Sequence, residues 1–193
     1  DKGFVVLKLG SGYNVGVEQS KIKKIEILKK YEPKRPEKTK ITYKKNLPTV
    51  SLLSFGGTIS SRVDYRTGGV YADYGAEDFA GMMPELSQIA NIKTEKVMTI
   101  MSEDMAPEDW KMIAKRVAKE LNDEEVSGVI VTHGTDTLHF STAALSFFLH
   151  DLNKPVVFTG AQRSIDRGSS DAFMNLICSL HAAAKYDGAA VAP

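Results

Sequence analysis

The 193-residue sequence predicts an α/β fold, a mostly parallel doubly wound sheet preceded by a small β-barrel-like module. Three observations lead there. From Val50 onward, short runs rich in Val, Ile and Leu alternate with stretches of helical period, as successive βαβ units require. The unusual polar residues fall just after those runs, where the carboxyl ends of parallel strands would lie. Up to Lys45 the chain differs in kind: residues 1–45 hold 13 Lys/Arg against 5 Asp/Glu, a net +8, while residues 46–193 carry a net −7.

The opening run Phe4-Val-Val-Leu-Lys-Leu, the Gly-Ser-Gly turn and the run Asn14-Val-Gly-Val have the pattern of a β-hairpin. With Ile22, Ile25, Ile27 and Leu28 they define a small basic β module over residues 1–31, whose meagre apolar content suggests an incomplete barrel. Residues 32–48 place Pro33, Pro36 and Pro48 among lysines, a composition of low apolar content that reads as a linker. The α/β domain is expected over residues 49–193. Its candidate strands are Val50 to Phe55, Lys93 to Ile100, Gly128 to Thr132 and Pro155 to Thr159. In Pro107 to Leu121, Trp110, Ile113, Ala114, Val117 and Leu121 recur at helical spacing, and Pro107 suits a first turn. Helices are also expected over Leu138 to Leu149 and Asp171 to about Lys185, the latter with Phe173, Leu176, Ile177 and Leu180 on one face.

Composition limits the function classes. With 42% hydrophobic and 25% charged residues the chain is neither disordered nor low-complexity. No run reaches the roughly 18 apolar residues of a membrane span and no leader opens it, so a cytoplasmic protein without membrane contact is expected. One cysteine, Cys178, excludes an intrachain disulfide, and His133, His139, His150 and His181 lack paired-ligand spacing, so no metal is expected. The basic amino-terminal part fits either a face for nucleic acid or an acidic partner, or a solvated lysine-rich surface.

Chemistry is concentrated at the strand ends. Gly56-Gly57-Thr58 follows the first strand, Ser102-Glu103-Asp104 the second, His133-Gly134-Thr135-Asp136-Thr137 the third and Gly160-Ala161-Gln162-Arg163 the fourth. Ligands of open parallel sheets bind outside the carboxyl ends of the strands, so these four loops can share one crevice. Gly56-Gly57 permits a sharp turn and close backbone approach, leaving the Thr58 hydroxyl presented. The run lacks the third glycine of a dinucleotide fingerprint and the Gly-Lys-Ser/Thr ending of a P-loop, so a phosphate cradle is disfavoured. In the third loop a hydroxyl and a carboxylate lie side by side, a proton-transfer group beside an anchor for a cation. The alternative is that Asp136 or Thr137 merely caps the next helix. His133 is read as orienting its loop, Cys178 as a buried or half-buried packing residue, and Met98, Met101, Met105 and Met112 as core filler.

Phe55-Gly-Gly-Thr-Ile, Ser102-Glu-Asp-Met, Val131-Thr-His-Gly-Thr-Asp-Thr and Thr159-Gly-Ala-Gln-Arg, in this order and spacing, resemble the asparaginase/glutaminase family from about Thr49 to the last residue. The amino-terminal Leu9-Gly-Ser-Gly-Tyr-Asn-Val-Gly and the linker are further similar to the D-subunit branch of archaeal-type glutamyl-tRNA(Gln) amidotransferases. The resemblance implies an asparaginase-like fold and a threonine amidohydrolase. Thr58 would match the nucleophile, Thr135 and Asp136 the second catalytic threonine and its carboxylate, and Ser102 the group that binds the substrate carboxylate. Glu103 would help Asp136 meet the substrate ammonium, and Tyr71 would match the flap tyrosine, with Tyr65 and Tyr74 as competitors.

Backbone N–H groups near Gly57 and Thr135 are candidate oxyanion donors. The family's catalytic lysine would fall beyond the helix ending near Gly188, and Lys185 is too early to match it. The chain is therefore expected to be part of a longer protein and, as written, not to turn over.

For the amidotransferase branch the resemblance implies glutamine hydrolysis, with ammonia passed to a tRNA-binding partner subunit that uses ATP and Mg. This chain itself would bind no cofactor. It would form a homodimer within a heterotetramer and meet tRNA mainly through the partner. The alternatives are a stand-alone L-asparaginase and a non-enzymatic RNA- or partner-binding protein.

Overall fold

The computed structural model describes residues 3–8, 14–26, 43–63, 70–72 and 85–193. The chain divides into two compact units, residues 1–37 with 63–71 and residues 38–62 with 72–193. In the first unit, β1 (Phe4–Lys8) pairs antiparallel with β2 (Asn14–Glu18), Phe4 opposite Glu18 and Lys8 opposite Asn14. This is the expected hairpin; its Gly-Ser-Gly turn lies outside the described residues. No other strand joins it among the described residues, and Phe4, Val6, Leu7 and Val15 are exposed.

In the rest of the chain the order is β3 (Thr49–Gly56), β4 (Ser61–Val63), β5 (Val70–Ala72), α1 (Leu86–Ile89), β6 (Asn91–Ile100), α2 (Pro107–Leu121), β7 (Val126–Thr132), α3 (Leu138–Phe148), β8 (Val156–Thr159), α4 (Ala172–Lys185) and β9 (Val191–Ala192). β4 and β5 form a separate two-stranded sheet. The main sheet has the order β6-β3-β7-β8-β9, and every neighbouring pair is parallel. This is the doubly wound arrangement the sequence predicts, with α2, α3 and α4 at the expected places. The order reverses between β3 and β7, because the chain first steps from β3 to β6 and then crosses back.

Strand alternation feeds two cores. Val50, Leu52, Ile130 and Val157 pack with Leu176, Leu180 and Ala183 of α4 and Leu86 of α1. Leu53, Phe55, Val129, Val131, Val156 and Phe158 pack on the other face with Ile113 and Val117 of α2 and Leu145 of α3. The crossovers through α3 and α4 advance in the same direction along the sheet from opposite faces, so they have opposite hand. At least one departs from the right-handed rule for parallel crossovers.

Local chemistry sets the helix ends. The Asp109 carboxylate accepts the Ala106 N–H at 2.8 Å ahead of Pro107, and the Lys154 ammonium donates to the carbonyls of Leu121 and Asp123 at the other end of α2. Of residues 32–48, expected to be a linker, 43–48 are described. The Asn91 side chain accepts the Lys44 N–H at 2.8 Å and donates to the carbonyls of Lys44 and Leu47, fastening this stretch to the start of β6. Cys178 is exposed, contrary to expectation, because it stands two residues from Leu176 and so on the far side of α4. Met101 is likewise exposed, just beyond the end of β6, whereas Met98, Met105 and Met112 pack against the core.

Candidate active site

β3 and β7 run in register, Ser54 opposite Thr132, so their following loops leave the sheet side by side at the point where strand order reverses. Gly57 has φ +77°, a conformation that favours glycine, and an added Cβ would lie 2.5 Å from the Gly134 nitrogen and 2.6 Å from the His133 carbonyl carbon. The bare backbones of the two loops therefore touch. Thr58 and Thr135 each stand one residue beyond that contact, and both are half-buried.

The other two loops close on the same place. A Cβ on Gly134 would lie 2.6 Å from the Ser102 hydroxyl oxygen, and one on Gly160 2.9 Å from the His133 carbonyl oxygen and from the Thr135 methyl. Thr137 does not cap α3 with its side chain. Its hydroxyl donates instead to the Ser102 carbonyl at 2.8 Å, and its N–H points to the Ser102 hydroxyl at 3.4 Å. Ser102 is 2% exposed, while Glu103 and Asp136 are exposed. Tyr71 lies on β5, and its side chain is outside the described residues, as are Tyr65 and Tyr74.

Thr58 opens a single 3₁₀ turn, Thr58–Ser60. The Gly57 carbonyl accepts the Ser60 N–H at 3.1 Å and the Ser61 hydroxyl at 2.9 Å. The Ser60 hydroxyl lies 2.9 Å from that of Ser54 and 3.2 Å from that of Thr132. His133 is fully buried, with Nδ1 2.7 Å from the Gly134 carbonyl and Nε2 3.0 Å from the Met105 sulfur. Burial pushes its pKa below the usual imidazole range, outweighing the hydrogen bond to Gly134, which favours the charged form. Because a carbonyl only accepts, the Nδ1 proton is donated to Gly134, within the same loop.

The sequence matches the family described as Asparaginase, N-terminal, over residues 49–192. The chain belongs to the asparaginase family. Residues 1–28 match the family described as GatD N-terminal domain. The glutamyl-tRNA(Gln) amidotransferase D-subunit of Pyrococcus horikoshii is 52% identical over 178 residues, 91% of this chain and 40% of that protein. The protein of the same name from Archaeoglobus fulgidus is 50% identical over 189 residues, 98% of this chain and 44% of that protein. The chain thus spans about two fifths of the length of these relatives.

Among solved structures, L-asparaginase I of Vibrio cholerae is similar with a TM-score of 0.66 and 31% identity, over 75% of this chain and 43% of that one. The thermostable L-asparaginase of Thermococcus kodakarensis gives 0.63 and 33%, over 74% and 43%.

Within this asparaginase-family domain, sequence reasoning missed the residues that hold the loops. Asp171 accepts the N–H groups of Gln162 and Arg163 at 3.0 to 3.1 Å and the Asn175 amide at 3.2 Å. Burial pulls its carboxyl upward, but these donors and its own N–H outweigh that and hold it below the usual carboxylate range. The signal was an Asp just ahead of an amphipathic run, which reads as a helix start and is silent about what else the carboxylate receives.

Proposed function

We propose that this chain carries the glutamine-hydrolysing centre of a tRNA-dependent amidotransferase that converts Glu-tRNA(Gln) to Gln-tRNA(Gln), with Thr58 as nucleophile. The observation that carries the reading is the backbone contact between Gly57 and Gly134, which leaves Thr58 and Thr135 on neighbouring loops. The names of the relatives, which are D-subunits of this amidotransferase, support the choice of reaction. In this reading residues 1–31 are the basic module, 32–48 the linker and 49–193 the hydrolase body.

The Thr58 oxygen attacks the side-chain carboxamide carbon of glutamine. The C–N bond then breaks, and the hydroxyl proton leaves with the nitrogen as ammonia. An ester on Thr58 remains, and water cleaves it to glutamate and the free hydroxyl. In this reading Thr135 and Asp136 handle the proton. The Ser102 hydroxyl, approached by the Thr137 N–H, retains its own proton to donate to the substrate carboxylate. Asp136 and Glu103 are exposed carboxylates available to the substrate ammonium, and Tyr71 is the flap tyrosine of this reading.

Ammonia would pass to a partner subunit that binds tRNA and uses ATP and Mg. The chain would act in the cytoplasm as a homodimer within a heterotetramer. Among the described residues no helix is long and apolar enough to cross a membrane.

The test is ammonia release by the full-length protein from glutamine and from asparagine, with and without the partner. Thr58→Ala is expected to lower it by roughly a thousandfold or more with the fold intact. Retained activity removes Thr58 as nucleophile. Preference for asparagine regardless of partner favours a stand-alone asparaginase. RNA binding with steep salt dependence and no hydrolysis favours the non-enzymatic reading.

A further inference from the structure

We infer that Ser60 and Thr132 are positioning residues, which hold the Thr58 turn over the β3–β7 junction through a chain of three buried hydroxyls. The inference rests on Thr58 being the nucleophile. Ser54 and Thr132 are cross-strand neighbours at the carboxyl ends of β3 and β7. Ser60, two residues after Thr58, folds back so that its hydroxyl oxygen lies 2.9 Å from that of Ser54 and 3.2 Å from that of Thr132. All three side chains are buried, and Ile59 between Thr58 and Ser60 enters the core on the same face of the sheet.

A three-residue 3₁₀ turn has weak internal geometry, so anchors outside it decide where its first residue stands. Here the anchor reaches both loops. Thr132 immediately precedes His133, Gly134 and Thr135, so a change at its hydroxyl is felt on the Thr58 side and on the Thr135 side together. Water cannot substitute freely in a buried hydroxyl chain, and losing the Thr132 hydroxyl leaves Ser60 held by Ser54 alone. A displacement of about 1 Å in a reacting group can cost up to about a hundredfold in rate. Among the described residues these hydroxyls bond to one another and not to the Thr58 hydroxyl, so the expected effect falls on turnover and spares binding.

The experiment compares Thr132→Val, which keeps the shape and removes the hydroxyl, with Thr132→Ser, which keeps the hydroxyl, in the full-length protein. Thr132→Val is expected to lower kcat for glutamine about tenfold with KM within about twofold. Amide hydrogen exchange at residues 57–60 and 133–135 should rise together, and Thr132→Ser should restore both readouts. Equal impairment in the two variants overturns the inference. So does a Thr132→Val protein with parental exchange in either loop.

If the parent releases no ammonia from either amide, the proposed function fails, and exchange alone decides here. Coupled acceleration of both loops supports the hydroxyl tie, and unchanged exchange rejects it. Should Thr132→Val not fold, Ser60→Ala is read by the same two measurements.

Discussion

The junction of β3 with β7 and the sheet edge at β6 both gather polar residues, by opposite means. At the junction the polar atoms are neutral and buried: the hydroxyls of Ser54, Ser60 and Thr132, the uncharged ring of His133, and glycine backbones in contact. At the edge they are ions. Lys93 pairs with Glu120 at 3.0 Å and Asp123 at 2.9 Å, and Arg116 pairs with Glu95 and, at 3.7 Å, with Glu120. The hydrogen bond that Lys93 donates to Asp123, then that to Glu120, holds its ammonium above the usual range.

Charges along an edge strand deter pairing with other chains, and solvent weakens each exposed pair. Neutral buried groups have no such buffer. Backbone contact and buried hydroxyls therefore fix the loops at the junction, whereas at the edge Glu120 is the buried member of a network whose other carboxylates and Lys93 reach solvent.

Four substitutions probe that contrast, in falling order of expected effect. Gly57→Ala combines a left-handed φ with a Cβ 2.5 Å from the Gly134 nitrogen. It should cost about 3 kcal/mol or more, read as a fall in urea midpoint. A loss below about 1 kcal/mol would mean that the two loops yield easily.

Asp171→Ala frees the N–H groups of Gln162 and Arg163 and should cost about 2 kcal/mol at neutral pH, with faster exchange at those two amides. Because its folded pKa is depressed, this contribution is present above the unfolded carboxylate value and fades as pH falls through the folded one.

His133 gives the third test through pH. Its folded pKa is depressed by burial, so the unfolded chain takes up the proton first. Stability should decline as pH drops below about 6.5, the ordinary histidine value. His133→Gln should flatten that part of a urea-midpoint profile, and an unchanged slope would show that the ring is not held neutral. Smallest is Glu95→Gln at the edge, which should shift stability by no more than about 0.5 kcal/mol, since Glu95 is half exposed. A shift as large as that of Asp171→Ala would erase the contrast between the two regions.

Most of the fold was legible in the pattern of the chain. The predicted helix Pro107 to Leu121 coincides with α2, and the four predicted strands lie within or next to β3, β6, β7 and β8, with ends displaced by no more than two residues. Periodicity reports burial directly, so long amphipathic runs are read well. Cys178 was misread because closeness in sequence to Leu176 was taken for closeness on the helix face. Met101 was misread because an apolar residue beyond a strand end has no periodic neighbours to betray its exposure.

The four polar loops were recognised from their places after the strands, yet their anchors were not. Thr137 reaching Ser102, Ser60 reaching Thr132 and Asp171 reaching Gln162 span 35, 72 and 9 positions. No local spacing rule covers such pairs.

The order of amino acids was enough to say which segments become strands and helices, which glycines can turn, and which hydroxyls and carboxylates emerge at strand ends, because these depend on local sterics and on hydrophobic period. Three features were settled by the folded molecule alone: the order β6-β3-β7-β8-β9, the opposite hands of the crossovers through α3 and α4, and the meeting of Gly57 with Gly134. These depend on how two apolar faces of one sheet are shared among distant helices, a choice that burial makes for the whole chain at once.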